Sequence, residues 1–113
     1  MKVLKKINFN VSEWDVSNVE NMDRMFIDCE KFDCDLSNWN TSKVKYADDM
    51  FFNCKNFTGE GLENWNVSNV INMSSMFYNC EKFDCDLSKW DVSNIIYIWI
   101  VCLNIVISLQ EKD

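Results

Sequence analysis

One six-residue phrase, met four times, constrains this chain more than anything else in it. Trp14-Asp15-Val16-Ser17-Asn18-Val19 returns as WNTSKV from Trp39, WNVSNV from Trp65 and WDVSNI from Trp90. The tryptophans stand 25, 26 and 25 residues apart. Self-similarity at a period of roughly 20 to 50 residues marks a repeat architecture, in which each unit buries its apolar face against its neighbour.

Counting from the tryptophans places the rest. INFNVSE before Trp14 aligns with FDCDLSN before Trp39 and FDCDLSK before Trp90, so the repeat begins at Ile7 and Met1 to Lys6 are expected to form a capping end. From Leu36 the pattern runs Leu36-x-x-Trp39-x-Thr41-x-x-Val44, with equivalents from Val11, Leu62 and Leu87. Alternation of Trp39 and Thr41 predicts a short strand with one buried face. Met22, Met25, Phe26 and Cys29 then follow at i, i+3, i+4 and i+7, repeated from Ala47 and from Met73; that spacing predicts a short helix or 3₁₀ segment. The expected fold is therefore an α/β repeat, a right-handed solenoid of about four coils over 1–94, with the four tryptophans in one internal column. The third coil carries one extra residue and both glycines, Gly59 and Gly61, and EKFDCDLS occurs at both 30–37 and 81–88, as if a two-coil unit had been duplicated.

After Asn94 the pattern breaks. Ile95 to Leu109 is an uncharged run ending in Gln-Glu-Lys-Asp. As a helix it would span about 23 Å, short of the roughly 30 Å hydrocarbon core, so 95–113 is expected to be a divergent apolar cap or tail. Its alternatives are a membrane anchor and a self-association surface at the C-terminal edge.

Chemistry finds little support. The chain has no histidine, which removes serine and cysteine triads and histidine metal sites, and it has no phosphate-binding glycine loop. Asp33 with Asp35, or Asp48 with Asp49, could pair as carboxylates, but such runs usually form a solvated face. Cys29-x₄-Cys34 and Cys80-x₄-Cys85 could be halves of a zinc site; repeat phase instead puts Cys29, Cys54 and Cys80 in one column as buried free thiols. Asp15, Asn40, Asn66 and Asp91 could bind calcium, although side-chain ladders and turns are the commoner use of such positions. No enzyme activity, metal or cofactor is expected. A net charge of −7 disfavours nucleic acid as a partner. MKVLKKINFN lacks the apolar core of a secretory signal, and five Asn-x-Ser/Thr sites, at Asn10, Asn40, Asn56, Asn66 and Asn72, would matter only in a secretory pathway.

The string L-x-x-W-x-[VT]-S-x-V-x-x-[MA]-x-x-M-F-x-x-C-x-x-F, running from residue 7 to about 95, resembles the repeat of the BspA-like leucine-rich-repeat surface proteins. That resemblance implies a leucine-rich-repeat-like fold and a role in attachment or protein binding at a cell surface, with no catalytic centre. Independently, positions flanking inward residues of a repeat array project outward in register. They nominate a binding face for a protein partner: Glu13, Asn38, Asn64 and Lys89 before each Trp, and Asp15, Asn40, Asn66 and Asp91 after it. A spacer array that presents no specific surface is the alternative.

Overall fold

Each repeat is a succession of four-residue turns whose end residues are mostly apolar. In the second repeat, i+3 to i backbone hydrogen bonds run from Trp39 to Leu36, Val44 to Thr41, Met50 to Ala47, Cys54 to Phe51 and Phe57 to Cys54, and the first and third repeats match them turn for turn. Most residues at the ends of these turns point inward, Trp14 being an exception, and most of the residues between them are at least partly exposed. The computed structural model describes residues 7–96; the capping end expected of Met1 to Lys6, and all but the first two residues of Ile95 to Leu109, lie outside the described residues.

The expected α/β solenoid is not what the chain forms. Among the described residues there is no strand and no α-helix; the one regular element is a 3₁₀ turn at Leu62–Asn64, which we label η1. Parallel pairing is confined to isolated bridges, Asn21 to Tyr46 and Tyr46 to Asn72. The described residues form a compact globule of successive turns, with no sheet and no strand-and-helix coil among them. At the predicted strand, the backbone turns on both sides, at Leu36–Trp39 and Thr41–Val44, so Trp39 and Thr41 alternate inward without a neighbour to pair with.

At the predicted helix the amides are divided between two tasks. Met25 and Cys29 close local turns on Met22 and Phe26, whereas Met22, Arg24, Phe26 and Asp28 donate to the carbonyls of Tyr46, Asp48, Met50 and Phe52 in the next repeat, at 2.7–2.9 Å. Arg24, Asp28, Asp49, Asn53, Ser75 and Asn79 all have φ between 55° and 63°. Each is the third residue of a turn, and a left-handed residue at that place breaks any continuous helix. Four of the six are Asp or Asn, the non-glycine residues that tolerate this conformation best.

Repeats lie against one another in register around a core dominated by phenylalanine. Phe26, Phe51 and Phe77 stack at 5.6 and 5.8 Å between ring centroids, and each lies 4.3–4.4 Å from a second ring of its own repeat, Phe32, Phe57 or Phe83. The expected four-membered tryptophan column is corrected accordingly. Trp39 and Trp65 stack at 6.0 Å with planes 5° apart, and Trp90 is buried, but Trp14 is 54% exposed. The indole N–H groups of Trp39, Trp65 and Trp90 donate to the carbonyls of Val11, Leu36 and Leu62 in the repeat before, at 2.9, 3.0 and 2.7 Å. Trp14 has no earlier repeat among the described residues to hold it.

The third repeat absorbs its extra residue at Gly59 and Gly61, with φ of 87° and 93°. A Cβ at Gly61 would sit 2.2 Å from the Ser37 backbone nitrogen, so the close approach of the two repeats requires glycine there.

Candidate interaction face

Asx turns set the outer surface of the repeat, in which a side-chain oxygen accepts the amide two residues on. Asp15, Asn40, Asn66 and Asp91 each accept from the backbone N–H of Ser17, Ser42, Ser68 and Ser93 at 3.0–3.1 Å. The hydroxyls of Ser17, Ser68 and Ser93 donate to the same oxygens at 2.6–2.7 Å. These bonds, led by the Ser17 hydroxyl, hold the Asp15 carboxyl below its ordinary range. A second row of such turns uses Asn10, Asp35 and Asp86 ahead of Val11, Leu36 and Leu87.

All eight face residues nominated from the sequence are exposed, but they divide into two kinds. The column after Trp is occupied with shaping its own turn, which accounts for its restriction to Asp and Asn. Glu13, Asn38, Asn64 and Lys89, before Trp, lie in the Leu-to-Trp turn with side chains that make no hydrogen bond or ion pair among the described residues. Nothing in the fold demands a particular side chain there, and the four differ in charge. Just beyond, a row of contacts ties repeat to repeat: Lys43 Nζ donates to Asn18 Oδ1 at 2.9 Å, and Asn69 and Asn94 donate to the carbonyls of Ser42 and Ser68 at 2.7 Å.

The paired carboxylates are structural where their partners are visible. Asp33 Oδ1 accepts the Thr58 amide and hydroxyl at 3.1 and 2.9 Å, bridging two repeats. Asp23 Oδ1 accepts the Asp48 amide at 2.8 Å, a bond that replaces the Asx turn where Tyr46 stands in the place of Asn21 and Asn72. Partial burial, then the nearby charges of Asp49 and Asp23, raise the Asp48 carboxyl above its ordinary value.

Cys29, Cys54 and Cys80 are buried in one phase of the repeat. Cys54 and Cys80 donate through Sγ to the carbonyls of Phe26 and Phe51 at 3.0 Å, and burial pushes the Cys54 thiol far above its ordinary range. Among the described residues no group of three or more His, Cys, Asp or Glu side chains is placed to hold a metal ion, and no helix is long and apolar enough to cross a membrane.

Two features escaped the sequence reading. One is Trp14, which stands outward with no indole acceptor among the described residues. The other is a pair of like clefts between repeats. One, of about 450 Å³, is lined by Thr58, Gly59, Glu60, Glu63, Asp84, Cys85 and Asp86. The other, of about 260 Å³, is lined by Asn8, Phe9, Asn10, Ser12, Asp33, Cys34 and Asp35. Each takes its cysteine from a copy of EKFDCDLS, and that duplication was the available signal. Burial, then the hydrogen bond to Glu63, pushes the Cys85 thiol up to about 12, which disfavours its thiolate at neutral pH.

A family model described as "Mycoplasma protein of unknown function, DUF285" matches residues 1–101. The chain belongs to this family. Membership in DUF285 covers all the described repeats, and the family description names no activity. No curated protein and no solved structure matches the chain. The leucine-rich-repeat solenoid implied by the resemblance to BspA-like proteins is thus corrected on two grounds: the match is to DUF285, and the repeat builds turns in place of strands.

Proposed function

We propose that this DUF285 chain is a non-enzymatic protein-interaction or attachment module, which engages a protein partner through the exposed turns before its tryptophans. One observation carries the reading. Glu13, Asn38, Asn64 and Lys89 recur in register on the surface, yet among the described residues no hydrogen bond uses their side chains, which leaves them exposed to a partner. Similarity of the repeat to that of BspA-like surface proteins supports attachment at a cell surface. The absence of histidine from the chain and the structural use of Asp33 and Asp15 favour binding over catalysis.

The test is partner capture by the parent chain and by a variant with Ala at Glu13, Asn38, Asn64 and Lys89. That variant should keep its melting temperature, because surface changes away from structural contacts usually shift stability by no more than about 0.5 kcal/mol, and it should lose the partner. Equal capture by a folded variant rules this face out and leaves the spacer reading.

A further inference from the structure

Three of the tryptophans in the described residues are closed into the core, and the fourth is offered to solvent. Trp14 is 54% exposed, its indole N–H has no acceptor among the described residues, and the core at that end does not depend on it: Val11, Val16 and Phe26 are buried while the ring stays out. Exposed, well-defined aromatic rings are the commonest anchors of protein interfaces. Glu13 and Asp15 flank this one in sequence, both exposed and neither in a salt bridge among the described residues. Asp15 commits only Oδ1 to its turn, and its hydrogen bonds with Ser17 favour the ionised form.

An exposed indole whose two neighbours in sequence are exposed carboxylates suits a cation, because the ring quadrupole and the acidic charges attract the same group. A guanidinium suits it best, since it can stack on the ring while its edge pairs with a carboxylate. A second copy of this chain would bring a net charge of −7 against −7, which repels. We propose that Trp14, between Glu13 and Asp15, anchors an arginine- or lysine-bearing segment of a partner polypeptide. The proposal rests on the interaction-module reading and adds the chemistry of the partner.

The experiment titrates the full chain with a short capped peptide of alternating glycine and arginine, and with its lysine and glutamate counterparts. It follows the NMR signal of the Trp14 indole N–H. The arginine peptide should shift that signal saturably, more weakly at high salt, and the glutamate peptide should not. Trp14→Ala should weaken binding about fivefold. Glu13→Gln with Asp15→Asn should weaken it about threefold without loss of stability, because Asn40 and Asn66 hold the same turn as Asp15. Equal binding by Trp14→Ala, with the Trp14 signal unmoved, assigns the peptide to general charge attraction and overturns the proposal. So does an absence of binding, or a concentration-dependent dimer that Trp14→Ala abolishes. If Trp14→Ala captures a protein partner as the parent does while the four-alanine variant does not, this anchor falls and the interaction module stands.

Discussion

Trp65 carries two separable interactions, its stack on Trp39 and its indole hydrogen bond to the Leu36 carbonyl. Trp65→Ala removes both and opens a cavity between two repeats, so it should cost roughly 3–5 kcal/mol on urea denaturation; a loss below about 1 kcal/mol would refute its place in the core. Asp48 makes the opposite case. Its folded pKa is raised above the ordinary 3.8 by burial and by Asp49 and Asp23, so the folded state holds this proton more tightly than the unfolded chain does. The carboxyl therefore weakens the fold once pH rises through its folded pKa, and that penalty is absent below the unfolded value. Asp48→Asn should raise the melting temperature at pH 7, with the gain fading by about pH 3, where Asp48 is protonated in both states. A melting temperature lowered at pH 7 would contradict the assignment. Burial of individual residues was largely readable from repeat phase: Leu36, Phe57, Met73 and Cys80 all face inward as their phase requires. Trp14 departs from its phase because the buried tryptophans are each held by the repeat before them, and none precedes Trp14 among the described residues.

The turn is the element of this protein, and it explains why its repeat was read as strand and helix. Apolar residues three and four apart mark a helical stripe, but they equally mark the ends of consecutive four-residue turns, and both patterns put the same residues inside. The amides decided between them: Met22, Arg24, Phe26 and Asp28 donate to the next repeat and leave no helical ladder. Local signals for the turn were present in the Asp/Asn-x-Ser triplets, which form Asx turns at 15–17, 40–42, 66–68 and 91–93. Asn66→Ala deletes the acceptor for both the Ser68 amide and its hydroxyl and should cost about 0.5–1.5 kcal/mol. Asn66→Asp keeps the acceptor and should stay within about 0.5 kcal/mol. If chemical denaturation shows the two variants equally destabilised, the turn does not depend on that oxygen. The same comparison separates the two columns of the candidate face, since only the column after Trp is tied to such a bond.

A molecule assembled from turns has a spectroscopic consequence for the whole. Residues 7–96 should add no helical double minimum to the far-UV circular dichroism, while tryptophan fluorescence and circular dichroism should report one coincident unfolding transition, because each described repeat is tied to its neighbour by backbone bonds, thiols and stacked rings. A strong helical spectrum from residues 7–96, or transitions that separate, would contradict the architecture. The radius of gyration of 12.9 Å is close to the about 13 Å of a compact chain of 100 residues. What the sequence by itself determined was the period, the inward set of residues and the candidate face, because these follow from which side chains avoid water at a fixed spacing. Only the tertiary structure decided between strand, helix and turn. Hydrophobic burial is indifferent to where an amide finds its acceptor, and here the acceptors for alternate amides stand 24 to 26 residues away, on another repeat. The same reason set Trp14 apart: its side chain is identical to those of Trp39, Trp65 and Trp90, and what it lacks among the described residues is a carbonyl of a preceding repeat to hold it.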